Sequence, residues 1–308
     1  MSHFDTLKIE ELEKDKVHVS GCRGSSPPKD HKVCINLAGG FRNGMEIILT
    51  GLDIEEKAKV FTEVLFNSVG GQEQFDEVFI ELQRTDKENP TTNEQAMASL
   101  VISVKSSNQE LVGRLFSAKI IELALANIPG FFAESGPKSS GPVIIYWPAL
   151  VDSKYITEKV HIDGKEIEVV PTSQLDYEEI YYQREPISID DIEISDQKEI
   201  YFGDLFGTRS GDKGGCANLG VWAKNNLSYS FLYNFLTIEK LKELLPDLSE
   251  YKIERFELPN INSLNFYIHD ILEDGVSSNN RKDGQAKSLG EYLRVKKILV
   301  PDSILLET

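Results

Sequence analysis

Hydrophobic and polar positions follow two different periods in the first half of the chain. Between 53 and 68, apolar residues recur every three or four positions, which is the spacing of an amphipathic helix, and Asp53 suits its N-cap. The residues on this face are Ile54, Ala58, Phe61 and Leu65. Near 75–83 and 97–105 apolar residues alternate with other residues, which predicts two strands.

A second helix is predicted by a capping box. Ser107 and Glu110 have the required spacing, so we expect a helix that begins at Ser107 and ends at the Pro129-Gly130 pair. "PVIIYWP" then predicts a strand at 142–148, and Asp163-Gly164 predicts a hairpin within 156–170. From residue 44 to 147 the predicted order is strand, helix, strand, strand, helix, strand, which is the ferredoxin-like (βαββαβ) arrangement.

The composition changes after residue 170. Residues 171–199 hold nine acidic and two basic side chains, which is typical of a hydrated connector. We therefore predict a domain at 1–170, an acidic linker at 171–198 and a second domain at 199–308. The same order of strands and helices recurs in the second domain, where "VKKILVP" is expected to close the sheet. The predicted fold class is α+β, with two ferredoxin-like (βαββαβ) units joined by the acidic linker.

Charge and composition exclude several functional classes. The 308 residues include 33 basic and 50 acidic side chains, a net charge of −17, so nucleic acid is not an expected partner. No apolar run reaches the length of a membrane span and the N-terminus is too charged for a signal peptide, so we expect a cytoplasmic protein with no membrane partner. Neither the three cysteines nor the five histidines have the spacing of a metal site, and no metal or cofactor is predicted.

The candidate chemistry is concentrated in "FGTRSGDKGGCANLG", residues 206–220. Its glycines free the backbone to form an anion-binding nest, and Arg209 and Lys213 add positive charge. One interpretation is therefore a loop that binds a carboxylate, a phosphate or the phosphates of an acyl carrier. The alternative is a structural turn in which Asp212 pairs with Arg209 or Lys213. The segment is not a Walker P-loop, and its spacing leaves both interpretations open.

Three further segments offer binding residues. Arg23 lies in a loop rich in glycine and proline that either binds an anion or only connects two elements. Asn260, Asn262 and Asn265 lie around the start of a strand, where they either bind substrate or, in the case of Asn260 and Asn262, form turns. The segment 281–297 carries six basic and two acidic side chains, and we expect it to face Arg209 and Lys213.

Several motifs together resemble a known family. "GTRSGDKGGCANLGVWA" and "FELPNINSLNFYIHDIL" are similar to the C-terminal ferredoxin-fold domain of the acyclic terpene utilisation (AtuA) family. "GCRGSSPPKDHKVCINLAGG" and "GRLFSAKIIELALANIPGFF" resemble the second half of the family's main conserved region. The resemblance extends from about residue 20 over nearly the whole chain. It implies a bacterial catabolic protein associated with the degradation of citronellol- and geraniol-type compounds.

The resemblance leads to three functional hypotheses. The first is an enzyme, or the substrate-binding half of one, that acts on a branched terpenoid carboxylate or its CoA thioester. In this first hypothesis Arg209 and Lys213 bind the anion, and Asp212 or Ser210 transfers protons. The other expected substrate-binding residues are Arg23, Gly211, Gly214, Asn218, Asn260, Asn265 and Arg281. The second hypothesis is a non-catalytic accessory subunit. The third is a structural half: full-length members of the family carry a large N-terminal α/β region, so we expect either a homo-oligomer or a complex with a separately encoded N-terminal half.

Overall fold

The computed structural model of the chain describes residues 2–25, 27–169 and 196–306. Residues 171–195 of the predicted acidic linker lie outside the described residues. The described chain forms two compact units, one made of residues 36–145 and the other of residues 1–35 together with residues after 145. Each unit is described separately below.

The described elements are mostly strands. The strands are β1 Ser2–His3, β2 Lys8–Glu13, β3 Lys16–Ser20, β4 Arg23–Gly24, β5 Asp30–Thr50, β6 Glu77–Gln83, β7 Met97–Ser106, β8 Phe131–Ala133, β9 Gly141–Asp152, β10 Glu158–Ile162, β11 Lys165–Val169, β12 Gln197–Tyr201, β13 Gly207–Lys213, β14 Cys216–Trp222, β15 Ile253–Leu258, β16 Ser263–Ile268 and β17 Lys297–Pro301. The helices are α1 Ile54–Ser68, α2 Arg114–Glu122, α3 Phe202–Leu205, α4 Asn226–Phe235, α5 Ile238–Leu244, α6 Leu289–Arg294 and α7 Asp302–Leu305. Among the described residues, no helix is long and apolar enough to cross a membrane.

The unit 36–145 is built on an antiparallel sheet with the strand order β6, β7, β5, β8, and β9 also pairs with β5. Helix α1 begins at Ile54, as predicted, and the predicted apolar face is buried against the sheet with Phe66. Asp53 occupies the N-cap position, but its φ is 57° and its side chain makes no capping hydrogen bond. The order strand, helix, strand, strand, helix, strand is observed, with β8 as an additional short strand.

The second helix of this unit is shorter than predicted. The backbone N–H of Ser107 donates to Asp76 Oδ2 at 2.6 Å, and the N–H of Glu110 donates to Asn108 Oδ1 at 3.1 Å. These bonds hold 107–110 in a turn in which Ser107 is not an N-cap, so the capping-box prediction is wrong. Helix α2 instead begins at Arg114 and ends at Glu122, well before Pro129.

The other unit contains a four-stranded antiparallel sheet with the order β13, β14, β16, β15. One face of this sheet is buried by helices α4, α5 and α6. The buried core residues include Ala217, Leu219 and Val221 of β14 and Leu264, Phe266 and Ile268 of β16. We refer to this side as the helix face and to the opposite side as the open face.

The final strand does not close this sheet, contrary to the prediction. Strand β17 pairs with β12 in a separate two-stranded ribbon, with Gln197 opposite Pro301 and Tyr201 opposite Lys297. The place beside β14 is taken by β13, which is adjacent to it in sequence and pairs with it along its whole length. The predicted hairpin around Asp163-Gly164 is confirmed as β10 and β11, and both turn residues have positive φ.

Candidate functional site

The glycine-rich segment forms a β-hairpin, so the loop prediction is wrong for residues 207–213. Strands β13 and β14 pair from Gly207 opposite Trp222 to Lys213 opposite Cys216. Backbone N–H groups along an extended strand alternate in direction, towards the neighbouring strand and away from it, and do not converge on one point, as a nest requires. Only Gly214 and Gly215 remain as a two-residue turn.

The tip of this hairpin is packed against other backbone and side-chain atoms. Gly214 has a φ of 69°, and a Cβ there would lie 2.7 Å from Cε1 of Tyr146. A Cβ on Gly215 would collide with the carbonyl oxygen of Glu273, and the carbonyl of Gly215 accepts a hydrogen bond from the N–H of Leu272 at 2.8 Å. These glycines allow close packing of the turn, as in many tight turns.

Strand alternation divides the predicted site residues between the two faces of the sheet. Ser210 and Asp212 lie opposite the buried Leu219 and Ala217 and therefore belong to the helix face. The hydroxyl of Ser210 accepts a hydrogen bond from the N–H of Gly290 in α6 at 3.0 Å. The two predicted proton-transfer residues are therefore on the opposite side of the strand from the residues predicted to bind the anion.

Arg209, Gly211 and Lys213 lie on the open face. Arg209 is exposed, and within the described residues it makes no ion pair or side-chain hydrogen bond. Lys213 Nζ donates to the backbone carbonyl of Asp212 at 3.0 Å, so the carboxylate of Asp212 is not its partner. The pairing of Asp212 with Arg209 or Lys213 that a structural turn would use is therefore not observed among the described residues.

Two asparagines from neighbouring strands meet beside Arg209. Asn218 Nδ2 donates to Asn265 Oδ1 at 3.1 Å. Gly220 lies between Arg209 and Asn265 in the strand register. Among the described residues, a Cβ on Gly211 would have no atom within 4 Å, and one on Gly220 would have its nearest atom at 3.6 Å. At these two glycines the sheet therefore has backbone that no side chain covers, and the guanidinium of Arg209 and the two asparagine amides lie beside it.

Apolar side chains adjoin this polar group on the open face. The indole of Trp222 lies directly over Gly207, where a Cβ would collide with it. Phe256 of β15 is opposite Asn265. Trp222 is 43% exposed and Phe256 is 49% exposed. Two aromatic surfaces are therefore accessible next to the polar positions.

A hydrogen-bonded acid–base pair that the sequence analysis missed lies further along the same face. His269 Nε2 and Glu254 Oε1 are 2.6 Å apart. The hydrogen bond from His269 holds the pKa of Glu254 below its usual value. The ring of Tyr267 meets that of His269 edge to face, with centroids 4.9 Å apart. A hydrogen bond with the thiol of Cys216, together with burial, raises the pKa of Tyr267 to about 12.

Three predicted binding residues lie elsewhere. Asn260 Nδ2 donates to the carbonyl of Phe4 at 2.8 Å and so holds the N-terminal segment. Arg281 pairs with Asp247 at 3.4 Å. Arg23 is in β4, opposite His3. The structure thus brings together Arg209, Lys213, Gly211, Asn218 and Asn265 on one face, and it does not place Asn260, Arg281 or Arg23 among them.

The predicted basic patch does not face Arg209. Helix α6 packs on the helix face, where Gly290 contacts Thr208 and Ser210. Three cations at the end of the segment 281–297 have local partners. Arg294 pairs with Glu291, Lys297 pairs with Glu199, and Lys296 lies over the ring of Tyr292. Helix α6 is near β13, as expected, but it contacts the other side of the strand.

Metal binding has no candidate within the described residues, where no group of three or more histidine, cysteine, aspartate or glutamate side chains is arranged to hold an ion. The chemistry available on the open face is therefore that of an exposed guanidinium, two amides, two aromatic surfaces and a histidine–carboxylate pair.

Comparison with known proteins identifies the family. The model of the acyclic terpene utilisation family protein AtuA matches residues 1–162, and the model of the AtuA ferredoxin-like domain matches residues 201–299. Comparisons with curated proteins and with solved structures found no match. The first family match covers more than half of the chain, and membership implies a role in acyclic terpene utilisation. The chain therefore belongs to the acyclic terpene utilisation (AtuA) family, and its open face is part of the AtuA ferredoxin-like domain.

Proposed function

We propose that this protein contributes to acyclic terpene utilisation by binding a branched, terpenoid-derived carboxylate or its CoA thioester on the open face of the β13–β16 sheet. The observation that carries the proposal is Arg209, an exposed guanidinium without a charged partner among the described residues, beside bare backbone at Gly211 and Gly220.

Charge supports this assignment. In a chain with a net charge of −17, the other arginines of the same domain, Arg255, Arg281 and Arg294, each pair with a carboxylate. A guanidinium that lacks such a neighbour is suited to a carboxylate or phosphate from outside, since it can donate two parallel hydrogen bonds to either group. Lys213 adds a second exposed positive charge on the same strand face.

The neighbouring side chains suit the rest of such a ligand. Trp222 and Phe256 offer half-exposed aromatic surfaces to a branched hydrocarbon chain. Asn218 and Asn265 supply amide groups that hydrogen-bond an ester or carboxyl oxygen. Glycines at 211 and 220 leave space for the ligand to approach the backbone closely. A ligand with an apolar body and an anionic group matches this combination.

We also infer that the unit 36–145 is a second ferredoxin-like module. Its element order is that of the predicted βαββαβ arrangement, and β5 lies between β7 and β8 and also pairs with β9. On this interpretation the chain combines two related modules, and the AtuA ferredoxin-like domain carries the ligand.

The proposal is tested by isothermal titration calorimetry with geranyl- and citronellyl-type acids and their CoA esters. Arg209→Ala removes a charge-assisted hydrogen bond worth about 1.5–3 kcal/mol, so it should weaken binding about 10- to 100-fold. Lys224→Ala is the matched control, because Lys224 is an exposed cation just beyond β14. It should bind like the wild type. Unchanged binding by Arg209→Ala, or a melting temperature that falls with no change in binding, would contradict the proposal.

A second candidate function is a subunit of a larger assembly, and the hairpin formed by β10 and β11 favours it. Val160, Ile162 and Ile167 are all exposed there. A two-stranded hairpin with exposed apolar side chains is marginal in water unless another surface covers it. Light scattering at micromolar concentration tests this candidate. An oligomer that dissociates when Val160 and Ile167 are both changed to threonine would support it, and a wild-type monomer of 34.6 kDa would contradict self-association.

A further inference from the structure

The Glu254–His269 pair is accessible from the open face. The side chain of His269 is 26% exposed and that of Glu254 is 44% exposed. The two atoms that meet, His269 Nε2 and Glu254 Oε1, are 2.6 Å apart, which is a short charge-assisted hydrogen bond. The pair therefore combines a fixed geometry with access for a ligand.

The hydrogen bond determines which imidazole nitrogen can act as a base. The pKa of Glu254 is lowered by the hydrogen bond from His269, so its carboxylate is ionised at neutral pH and only accepts hydrogen bonds. Nε2 must then carry the proton that is donated to Glu254. In the neutral imidazole this leaves the lone pair on Nδ1. A carboxylate fixes the tautomer of the histidine in a catalytic triad by the same principle, but there it holds Nδ1 and leaves Nε2 as the base.

Several other titratable groups surround the pair. Lys252 Nζ lies 3.5 Å from Glu254 Oε1, and it precedes β15 on the same side. Tyr267 contacts the imidazole edge to face, and its phenol interacts with the thiol of Cys216 and the charge of Asp270. The high pKa of Tyr267 keeps its phenol protonated and neutral at pH 7. Among these groups, the imidazole is the side chain that most often acts as a general base in enzymes.

The residues expected to transfer protons do not reach this face. Ser210 and Asp212 lie on the helix face, and the hydroxyl of Ser210 is used by the N–H of Gly290. Ser210 and Asp212 are therefore not placed to exchange a proton with a ligand on the open face, whereas His269 is.

The distance between His269 and Arg209 indicates the form of the ligand. In the strand register Arg209 is level with Asn265, two strands away, and His269 lies four residues beyond Asn265. At the spacing of ordinary sheets this separates the two backbones by about 17 Å. A CoA thioester fits this arrangement, because its pantetheine arm separates the phosphates, at the Arg209 end next to Trp222, from the reactive acyl group at the His269 end. In a short free acid the only charged group is the carboxylate next to the reacting carbon, so it cannot reach Arg209 and His269 at the same time.

We propose that His269, oriented by Glu254, is a general base that transfers a proton to and from the carbon next to the carbonyl of a CoA thioester bound on the open face. This inference rests on the proposed function. The C–H bond breaks, its proton forms an N–H bond at Nδ1, and its electron pair delocalises into the thioester carbonyl as an enolate. The reverse step returns a proton from the imidazolium to the carbon, so the exchange needs no oxidant, reductant or second substrate.

The experiment is deuterium exchange into a citronellyl-type CoA ester in deuterium oxide, followed by mass spectrometry, with calorimetry of the same ester in parallel. The wild-type chain should exchange the α-hydrogens faster than buffer. His269→Gln should lower the rate by about 100-fold or more, which is within the range for general-base catalysis, while binding stays within about twofold. His161→Gln is the matched control, because His161 is an exposed histidine 3.6 Å from Glu166 in a different hairpin.

Glu254→Gln tests the positioning role separately. It should lower the exchange rate and move the pH–rate profile towards lower pH, because the imidazolium loses the adjacent negative charge; a merely structural contact would not move the profile. Binding without exchange by the wild type, or exchange that survives in His269→Gln, would overturn this inference and leave the proposed function standing. Absence of binding by the wild type would overturn both.

Discussion

The ring of Tyr146 lies against the backbone of Gly214 at the tip of the β13–β14 hairpin. A Cβ at this glycine would lie 2.7 Å from ring Cε1, and the φ of 69° is one that residues with side chains rarely adopt. Gly214→Ala should therefore lower the free energy of unfolding by about 2–4 kcal/mol, from left-handed backbone strain plus the collision with Tyr146. Urea denaturation measures this change.

Gly211→Ala is the control for that prediction. It lies in the same hairpin, its φ is not in the left-handed region, and its Cβ would meet no atom of the described residues within 4 Å. Its unfolding free energy should stay within about 1 kcal/mol of the wild type, because alanine loses less backbone entropy on folding than glycine. Equal losses in both variants would show that the turn is not held by Tyr146.

Ser210 is expected to stabilise the fold, in contrast to the proton-transfer role predicted from the sequence. Ser210→Ala leaves the N–H of Gly290 without its acceptor and should cost about 1–3 kcal/mol of stability, since a part-buried donor loses its partner. Binding of the CoA ester should be unchanged. Thermal unfolding and calorimetry on the same preparation check this prediction, and a variant of normal stability that no longer binds would refute it.

Asn260 should act as an anchor for the N-terminal segment. Its side-chain amide donates to the carbonyl of Phe4 at 2.8 Å and more weakly to that of Leu7. Asn260→Ala should speed amide exchange and proteolysis in residues 2–24, at a cost of about 0.5–1.5 kcal/mol for the lost hydrogen bond. Hydrogen exchange by mass spectrometry measures this effect. Asn226→Ala, at the exposed start of α4, serves as a control and should leave exchange in the segment unchanged.

Asp283 should make stability depend on pH. Burial alone would raise the pKa of this carboxyl, but hydrogen bonds from Ser288 and Lys287 hold it below its usual value. A depressed pKa in the folded state contributes stability that is present above the unfolded pKa and is lost as the pH falls through the folded pKa. Asp283→Asn should therefore destabilise the protein at pH 7 by about 1–3 kcal/mol, and the difference should shrink in acid. Urea denaturation at pH 7 and below pH 4 tests this, and a difference independent of pH would contradict it.

Helices and strands are predicted well from the sequence where one of their faces is apolar, and they are predicted poorly where neither face is apolar. Helix α1 and strand β7 show clear periodicity because one side of each is buried in the core. Strand β13 reads Gly-Thr-Arg-Ser-Gly-Asp-Lys and has no apolar residue, because its helix face contacts the backbone of α6 and its other face is open. Its character as a strand comes from pairing with β14, and a local pattern does not encode that partner.

Only some residues of the candidate site could be predicted, again because the contacts that form it depend on strand pairing and not on a local sequence pattern. Arg209, Asn218 and Asn265 do come together, but the role of Asn260 as an anchor depends on a segment more than 250 positions away in the sequence. The Glu254–His269 pair joins the starting end of one strand to the far end of its neighbour, so it becomes visible only once the register of β15 with β16 is known. The available signal was the alternation of Tyr267 and His269 with the buried Phe266 and Ile268.

The position of Trp222 provides an intrinsic optical reporter of the open face. The chain has only two tryptophans, so Trp147→Phe would leave Trp222 as the sole indole fluorophore. Its ring is 43% exposed and lies over Gly207, two residues before Arg209 on the same strand face. An apolar or aromatic part of a ligand that covers this indole should shift its emission to shorter wavelength and protect it from quenching by iodide. Screening of acids and thioesters then needs no label, and an emission spectrum unchanged by a ligand would show that the ligand binds away from this end of the sheet.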